Sequence, residues 1–381
     1  MRKRLRNKIV KAVLLAIVAL VISYMCTNLS IPLSGEKLTL KYWSSFTDWI
    51  SSGKESLPPD DVVFINVEND KQLVEVSDDF GIPVGNAAIT DRTKLTRLLE
   101  LIQSSTAYRY VLLDVFFEDG YHTETDSALF ASIDKMERIV IARHTDRQLD
   151  PDAPLTKAAY ADYFTSISET DFSKYRIFYK DGPSIPLRMY SDLTGRTVRR
   201  KGVWYADGSA LSRKVVFPKM FVRIDSPYRS DGQKAYLNLG KDILDYTEEN
   251  WPEFFSDKII VVGAFSGDDI HTTYAGDLPG SLVNYNVFLT LLKGKHKIPV
   301  SLIIVYFLIF VAMSYLLLRG GTGSAQPWAW VWAKLFALYS AILIIVCIFV
   351  FMIWGQAHDI FITSTFFSIV DLANRRIKAK K

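Results

Sequence analysis

Only two cysteines occur in the chain, Cys26 and Cys347, and both lie in or beside long apolar runs. No disulfide framework can therefore support a folded region outside those runs. Such a region must stand on its hydrophobic core, for which about 270 residues suffice. Histidine is scarce too, five scattered residues in 381. Standard catalytic signatures are missing: there is no GxxxxGKS or GxxxxGKT loop, no GxSxG elbow and no HExxH pair. Internal repeats and low-complexity tracts are also absent. These absences point away from an enzyme and call for no cofactor. The glycine run Gly320, Gly321, Thr322, Gly323, Ser324 has no soluble strand before it and reads as a linker between apolar segments.

Charge is missing locally, and this is the strongest signal. Val300 to Leu318 holds nineteen residues without a charge, and Trp328 to Trp354 holds 27 with Lys334 alone. A hydrocarbon core needs about 20 apolar residues, so both read as transmembrane helices. Lys334 sits among Trp328, Trp330 and Trp332, from which its stem can snorkel to the interface. A third apolar stretch, roughly Val10 to Cys26, follows the basic cluster Arg2, Lys3, Arg4, Arg6, Lys8, as in a secretory signal. Ser23, Tyr24 and Met25 stand before Cys26 where cleavage would need small residues, which favours a retained anchor.

Basic residues prefer the cytoplasmic side. The first helix then starts inside, the middle segment lies outside, Arg319 returns inside, and the next helix ends outside at Trp354. The tail Arg375, Arg376, Lys378, Lys380, Lys381 returns inside only if the short apolar stretch Ile360 to Ala373 also crosses. Four crossings with both termini inside is the economical topology, with an interfacial helix at 360–373 as the alternative. The chain divides into a basic tail and anchor (1–27), an extracytoplasmic segment (28–297) and a C-terminal membrane region of about three helices (298–381). This is the organisation of a multi-pass protein of a bacterial inner membrane. Between Thr27 and Lys297 there are 32 Lys and Arg against 39 Asp and Glu, a net of −7. The basic balance thus belongs to the tails, and no nucleic-acid surface is expected.

Within the exported segment, helical spacing at Leu38 to Ile50 is broken by the stretch Gly53 to Pro59. Val62 to Val67 reads as a buried strand, Arg92 to Ile102 as an amphipathic helix capped by Thr90 or Asp91, and Tyr110 to Phe117 as a strand buried on both faces. Asp126 to Met136 and Ile139 to Ala142 continue a β-α-β-α-β run, which predicts a mostly parallel sheet. From Ser168 to Leu237 short β-like runs, Val215 to Phe217 and Phe221 to Ile224 among them, suggest an irregular antiparallel insertion. Lys258 to Val262 resumes as a strand ending at Gly263, and Val283 to Leu292 as a helix. The fold class is α/β with a mostly parallel sheet and a β-rich insertion, plus a transmembrane helix bundle.

Polar clusters follow the predicted strands, where open α/β sheets place ligands. They are Glu68, Asn69, Asp70, Lys71; Asp114, Glu118, Asp119, His122; and Gly263, Asp268, Asp269, His271. In a parallel sheet they share one edge. Carboxylates with imidazole suit a divalent cation or small ligand, while exposed loops are polar without any function. Asp114 differs because it interrupts the apolar run Val111, Leu112, Leu113, Val115, Phe116, and a buried carboxylate must be paired or hydrogen-bonded. Asp70, Asp114, Asp268, Asp269 and His271 are the candidate ligand-binding residues, and whether a metal joins them is open.

The order of these features resembles the CHASE sensory domain of the second type. The residues that carry it are the helix before the first strand, the strand Asp61 to Glu68 followed by Asn69-Asp70-Lys71, and the strand end Leu113-Asp114-Val115-Phe116-Phe117. Asp207-Gly208 with Arg213 is similar to the family's Asp-x-Asp-Gly segment and following arginine, with Tyr205 in the first acidic place. The best block runs Ile259-Ile260-Val261-Val262-Gly263-Ala264, Asp268-Asp269-Ile270-His271-Thr272-Thr273 and Pro279-Gly280, ahead of the helix from Leu282. The likeness covers Leu38 to the C-terminus. It implies detection of an extracellular or periplasmic stimulus, relayed by the trailing helices to a kinase or cyclase. Only eight residues follow Ala373, so the expectation is a sensory or adaptor subunit without its own output domain. Its partners would be the membrane and a separate signalling or envelope protein, with a second copy of itself as a further candidate. The alternatives are a structural subunit of an envelope assembly, which predicts an exposed apolar patch, and an exported metal-dependent hydrolase.

Overall fold

The computed structural model describes residues 2–30, 33, 36, 40, 60–77, 80, 82–105, 107–162, 173–224, 226–229, 231–245, 250–319, 328–354, 356 and 359–379. The helix expected at Leu38 to Ile50 lies outside these, Leu40 excepted. In chain order the main elements are α1 (Arg2–Thr27), β1 (Val62–Asn66), β2 (Lys71–Ser77), β3 (Pro83–Thr90), α2 (Arg92–Ser104), β4 (Tyr110–Phe116), α3 (Asp126–Lys135), β5 (Ile139–Arg143), β6 (Ala158–Tyr160), α4 (Ile185–Thr194), β7 (Val198–Lys201), β8 (Trp204–Asp207), β9 (Ala210–Ser212), β10 (Leu237–Asn238), β11 (Ile259–Gly263), β12 (Ile270–Thr273), β13 (Gly276–Pro279), α5 (Gly280–Leu292), α6 (Val300–Arg319), α7 (Trp328–Trp354) and α8 (Ile360–Ala379).

The chain forms two compact units, one of 53–197 with 218–294, the other of 1–52 with 198–217 and 295–381. The first is built on a six-stranded sheet in the order β10-β1-β11-β4-β5-β6, parallel at every pairing. Every residue of β1 and β11 is buried, which is why these strands are unbroken apolar runs. Leu95, Leu98, Leu99 and Ile102 of α2 and Leu129, Phe130 and Ile133 of α3 join Ile65, Val111, Leu113, Ile141, Ile260 and Val262 in one core. Helix α2 begins where Asp91 caps it, its carboxylate accepting from Lys94 N at 3.0 Å. On α5, Asn284, Asn286 and Thr290 are buried as well as the apolar residues. Asn286 accepts from Phe221 N (2.8 Å) and Val222 N (2.9 Å) and donates to Val222 O (2.9 Å).

Several expectations are corrected. Phe221 to Ile224 is no strand; its backbone is tied instead to the Asn286 amide. Helix α5 starts three residues before Val283, and β2 and β3 form an antiparallel hairpin absent from the sequence reading. The middle region contains a ten-residue helix, α4, capped by Ser184 and ended by Gly195 at φ 67°. The antiparallel character expected there is present in the β7-β8-β9 sheet.

That small sheet belongs to the second unit, with α1 and α6–α8. Ala16 and Ala19 of α1 pack with Leu302, Tyr306, Phe310, Met313 and Leu317 of α6, Leu343, Cys347 and Val350 of α7, and Phe367 of α8. Among the described residues two helical segments are long and apolar enough to cross a membrane, Arg6–Thr27 and Val300–Leu318.

Candidate functional site

A parallel sheet sends all its carboxyl ends to one edge, and loops from different strands meet there. At that edge lies a cavity of about 470 Å³. Asp114 and Val115 enter it from β4, His144 from the residue after β5, Asp269 and His271 from the segment after β11, and Gly280 and Asn284 from the first turns of α5. Thr90, at the end of β3, and Arg92, at the start of α2, close it.

Asp114 is held by α5: Asn284 donates Nδ2 to its Oδ2 at 3.0 Å, and Tyr175 donates its hydroxyl to Asn284 Oδ1 at 2.6 Å. Loss of solvent raises the Asp114 carboxyl above its ordinary range, against the Asn284 bond and the His144 charge, which favour the anion. Asp269 is pushed up to about 7 by burial and then by the neighbouring charge of Asp114, while the Gly280 backbone opposes the rise. His271 Nε2 lies 2.9 Å from Asp269 Oδ1, and burial pulls this imidazole down to about 4. Between those values the Asp269–His271 pair carries one proton.

His144 Nδ1 sits 2.8 Å from Asp162 Oδ1. Burial alone would lower His144, but the Asp162 bond and charge outweigh it and raise this imidazole. Arg92 is almost wholly buried, with its guanidinium 4.5 Å from the Phe117 ring centroid. Its Nε lies 3.4 Å from Asp126 Oδ1, and among the described residues Nη1 has no hydrogen-bond partner. The cavity thus offers two protonatable carboxyls, two imidazoles and a buried cation, an arrangement that can read a small polar solute by charge and by proton content.

Of the five candidates from sequence, Asp114, Asp269 and His271 line this cavity. The Asp268 side chain lies outside the described residues. Asp70 serves elsewhere: Lys94 Nζ meets its Oδ1 at 2.6 Å and Gly240 N its Oδ2 at 3.0 Å, which ties the segment after β10 to α2. His144, Asn284, Tyr175 and Arg92 were missed. His144 had a usable signal, since it follows a predicted strand as Asp114 and Asp269 do. Arg92 and Asn284 lie on predicted helices, where nothing in the sequence pattern singles them out.

Among the described residues two groups could hold a cation by proximity, His122 with Asp126 and Asp150, and His144 with Asp146 and Asp162, each with ligand atoms within 4.8 Å of one another. Arg92 already faces Asp126 in the first. Asp207 and Arg213, which carried the family's acidic and basic pattern, belong to the other unit. There Asp207 takes contacts from His296 Nε2 at 3.0 Å and Lys297 Nζ at 2.9 Å.

The family model described as the CHASE2 domain matches residues 15–319. It takes in the second half of α1, ahead of the Leu38 start read from sequence, and ends with α6. No curated protein and no solved structure matches the chain.

Proposed function

The chain belongs to the CHASE2 domain family, a family of extracytoplasmic sensory domains, and from that footing we propose that it senses a small polar solute in the cavity at the carboxyl edge of its parallel sheet. One observation carries this reading: strands distant in sequence converge Asp114, Asp269, His271 and His144 on a single cavity of about 470 Å³. A core carboxyl held by one amide, beside a second that titrates near 7, is poorly explained by packing alone. A ligand that favours one protonation or packing state of this edge shifts the population of the domain by its differential affinity. In this reading the protein is a multi-pass protein of a bacterial inner membrane, with α1 and α6–α8 as spans, the cavity outside, and a separate cytoplasmic protein as receiver.

The test is thermal unfolding of the full chain in detergent against amino acids, small carboxylates, small amines and divalent cations. A compound that raises Tm of the wild type and has no effect on Asp114→Asn or Asp269→Asn supports the site. A shift that survives both substitutions places binding elsewhere and overturns it.

A second reading, a subunit that docks another protein, draws on the β2–β3 hairpin. Leu73, Ile82 and Val84 are exposed there, and Phe80 is 88% exposed. An apolar tip of this kind fits a protein partner better than a small solute. Loss of partner co-purification on Phe80→Ser, with ligand response intact, would favour it.

A further inference from the structure

Away from the sheet edge, the unit containing α1 and α6 holds a second cavity of about 240 Å³. Its walls are mostly apolar: Leu20 and Val21 from the last turns of α1, and Leu302 and Ile303 from the first turns of α6. Three aromatics capable of hydrogen bonding, Tyr24, Trp204 and Tyr306, ring it, with the Tyr24 and Trp204 rings 4.7 Å apart. Arg213 projects into this setting at 6% exposure, and its Nε and Nη1 have no hydrogen-bond partner among the described residues. Ser23, 8% exposed, also lines the cavity and its hydroxyl is likewise without a partner. Glu36, which is itself buried, is the acidic group whose charge bears on Arg213.

A buried guanidinium with two idle N–H groups is costly unless an anion completes it. The residues around it are those of a bilayer interface, where aromatic side chains sit at headgroup depth and apolar helix surface runs inward. Both helices contribute the same end to the cavity, the end opposite the basic residues Arg2 to Lys8. We propose that this cavity binds one phospholipid from the outer leaflet of the membrane, its phosphate on Arg213 and Ser23 and the start of an acyl chain between Val21 and Ile303. The proposal rests on α1 and α6 being membrane spans. It makes the bound lipid a structural link between the anchor, the β7-β8-β9 sheet and the helix that follows the sensory unit.

The experiment is native mass spectrometry of the full chain after extensive detergent washing, with phosphatidylglycerol, phosphatidylcholine or inorganic phosphate added back. The expected result is a one-to-one phospholipid adduct whose apparent affinity falls about tenfold or more in Arg213→Gln, the loss of a charge-assisted hydrogen bond. Arg213→Lys should retain part of it. Val21→Trp fills the cavity mouth from a position facing away from the core and should weaken binding with Arg213 intact, which guards against misfolding of Arg213→Gln. Equal lipid retention in wild type, Arg213→Gln and Val21→Trp overturns the site, as does binding of inorganic phosphate with no lipid preference. Carbonate extraction of membranes separates the two failures: protein released to the supernatant refutes the spans, whereas protein retained without lipid selectivity refutes the site.

Discussion

Asn284 is the residue on which the sheet-edge site turns, because its single amide joins two partners. It donates to Asp114 and accepts from Tyr175. Asn284→Leu removes both bonds at a buried position and should cost about 1–3 kcal/mol, the penalty for stranding buried polar groups. Asp114→Asn keeps the shape and an acceptor, so it should change Tm much less while abolishing ligand response. If Asp114→Asn unfolds the chain as Asn284→Leu does, the carboxyl is a structural link and no site. The Asp269–His271 pair makes a separate prediction about pH. Asp269 keeps its proton up to about 7 when folded, against 3.8 ordinarily, so its contribution to stability declines as pH rises from about 4 to 7. His271 releases its proton at about 4 when folded, against 6.5, so its contribution grows as pH rises from about 4 to 6.5. The two slopes oppose each other in the wild type. Asp269→Asn leaves the histidine slope alone, and Tm should then climb from pH 4 to 6.5 by about 2 °C more than in the wild type. Parallel Tm curves for the two proteins would sink the pair. At this scale the sequence announced Asp114, because a carboxylate in an apolar strand stands out. Nothing announced that Asp70 would be consumed by Lys94 and Gly240, since that needs the segment after β10 to fold back on α2.

Elements reach the site through close approach, and two glycines mark where. A Cβ on Gly263, the last residue of β11, would lie 2.7 Å from Ser281 Cβ, and one on Gly280, the first residue of α5, would lie 2.8 Å from both Asp269 carboxylate oxygens. Strand, acidic loop and helix start are therefore packed to a tolerance that only hydrogen satisfies. Gly263→Ala should push α5 from the sheet end and cost about 1–3 kcal/mol by overpacking, with the Asp114–Asn284 bond lengthened. Gly280→Ala should act on Asp269 first, and its effect on ligand response should exceed its effect on Tm. Equilibrium unfolding in urea, with the ligand shift measured on the same variants, separates the two. The parallel core was legible because β1, β4 and β11 are buried on both faces and so read as continuous apolar runs. Helix α4 was obscured although its local signals are present, with Ser184 before it, Pro186 in its first turn and Gly195 after it. Its flanks, dense in arginine, tyrosine and glycine, drew the whole stretch toward a β reading. The β2–β3 hairpin escaped for the opposite reason: Pro83, Gly85 and paired alanines weaken the alternation in β3, and the apolar Leu73 of β2 points outward.

In the proposed reading the whole molecule spans the membrane four times, and that reading leans most on the last helix. By composition α8 is too polar to be counted as a span, for it contains Thr363, Ser364, Ser368 and Asp371, all buried. Yet Thr363 and Ser368 donate to the Asp359 and Ser364 carbonyls one turn back, and Ser364 and Asp371 meet a neighbouring helix of the same unit. Ser340 of α7 donates to Ser364 at 3.0 Å, Tyr339 of α7 lies 3.4 Å from Asp371, and Asn374 donates to the Leu317 carbonyl of α6 at 3.1 Å. Arg375, one turn on, pairs with Asp371 at 3.3 Å. Ile369 and Ile377 occupy the exposed face. A helix with its polar side turned to other helices and its apolar side outward suits a lipid environment, where small polar residues join helices and unpaired polar groups are expensive. An interfacial helix would instead keep its polar side in water. A reporter active only in the cytoplasm should therefore work when fused after Lys381 and within 320–327, and fail within 355–359. Asp371→Leu should leave that topology unchanged, because the added apolar surface favours insertion, while loosening the contact with Tyr339. Failure of the reporter after Lys381, with activity at 320–327 retained, would leave the basic tail outside, contrary to the charge rule that set the topology.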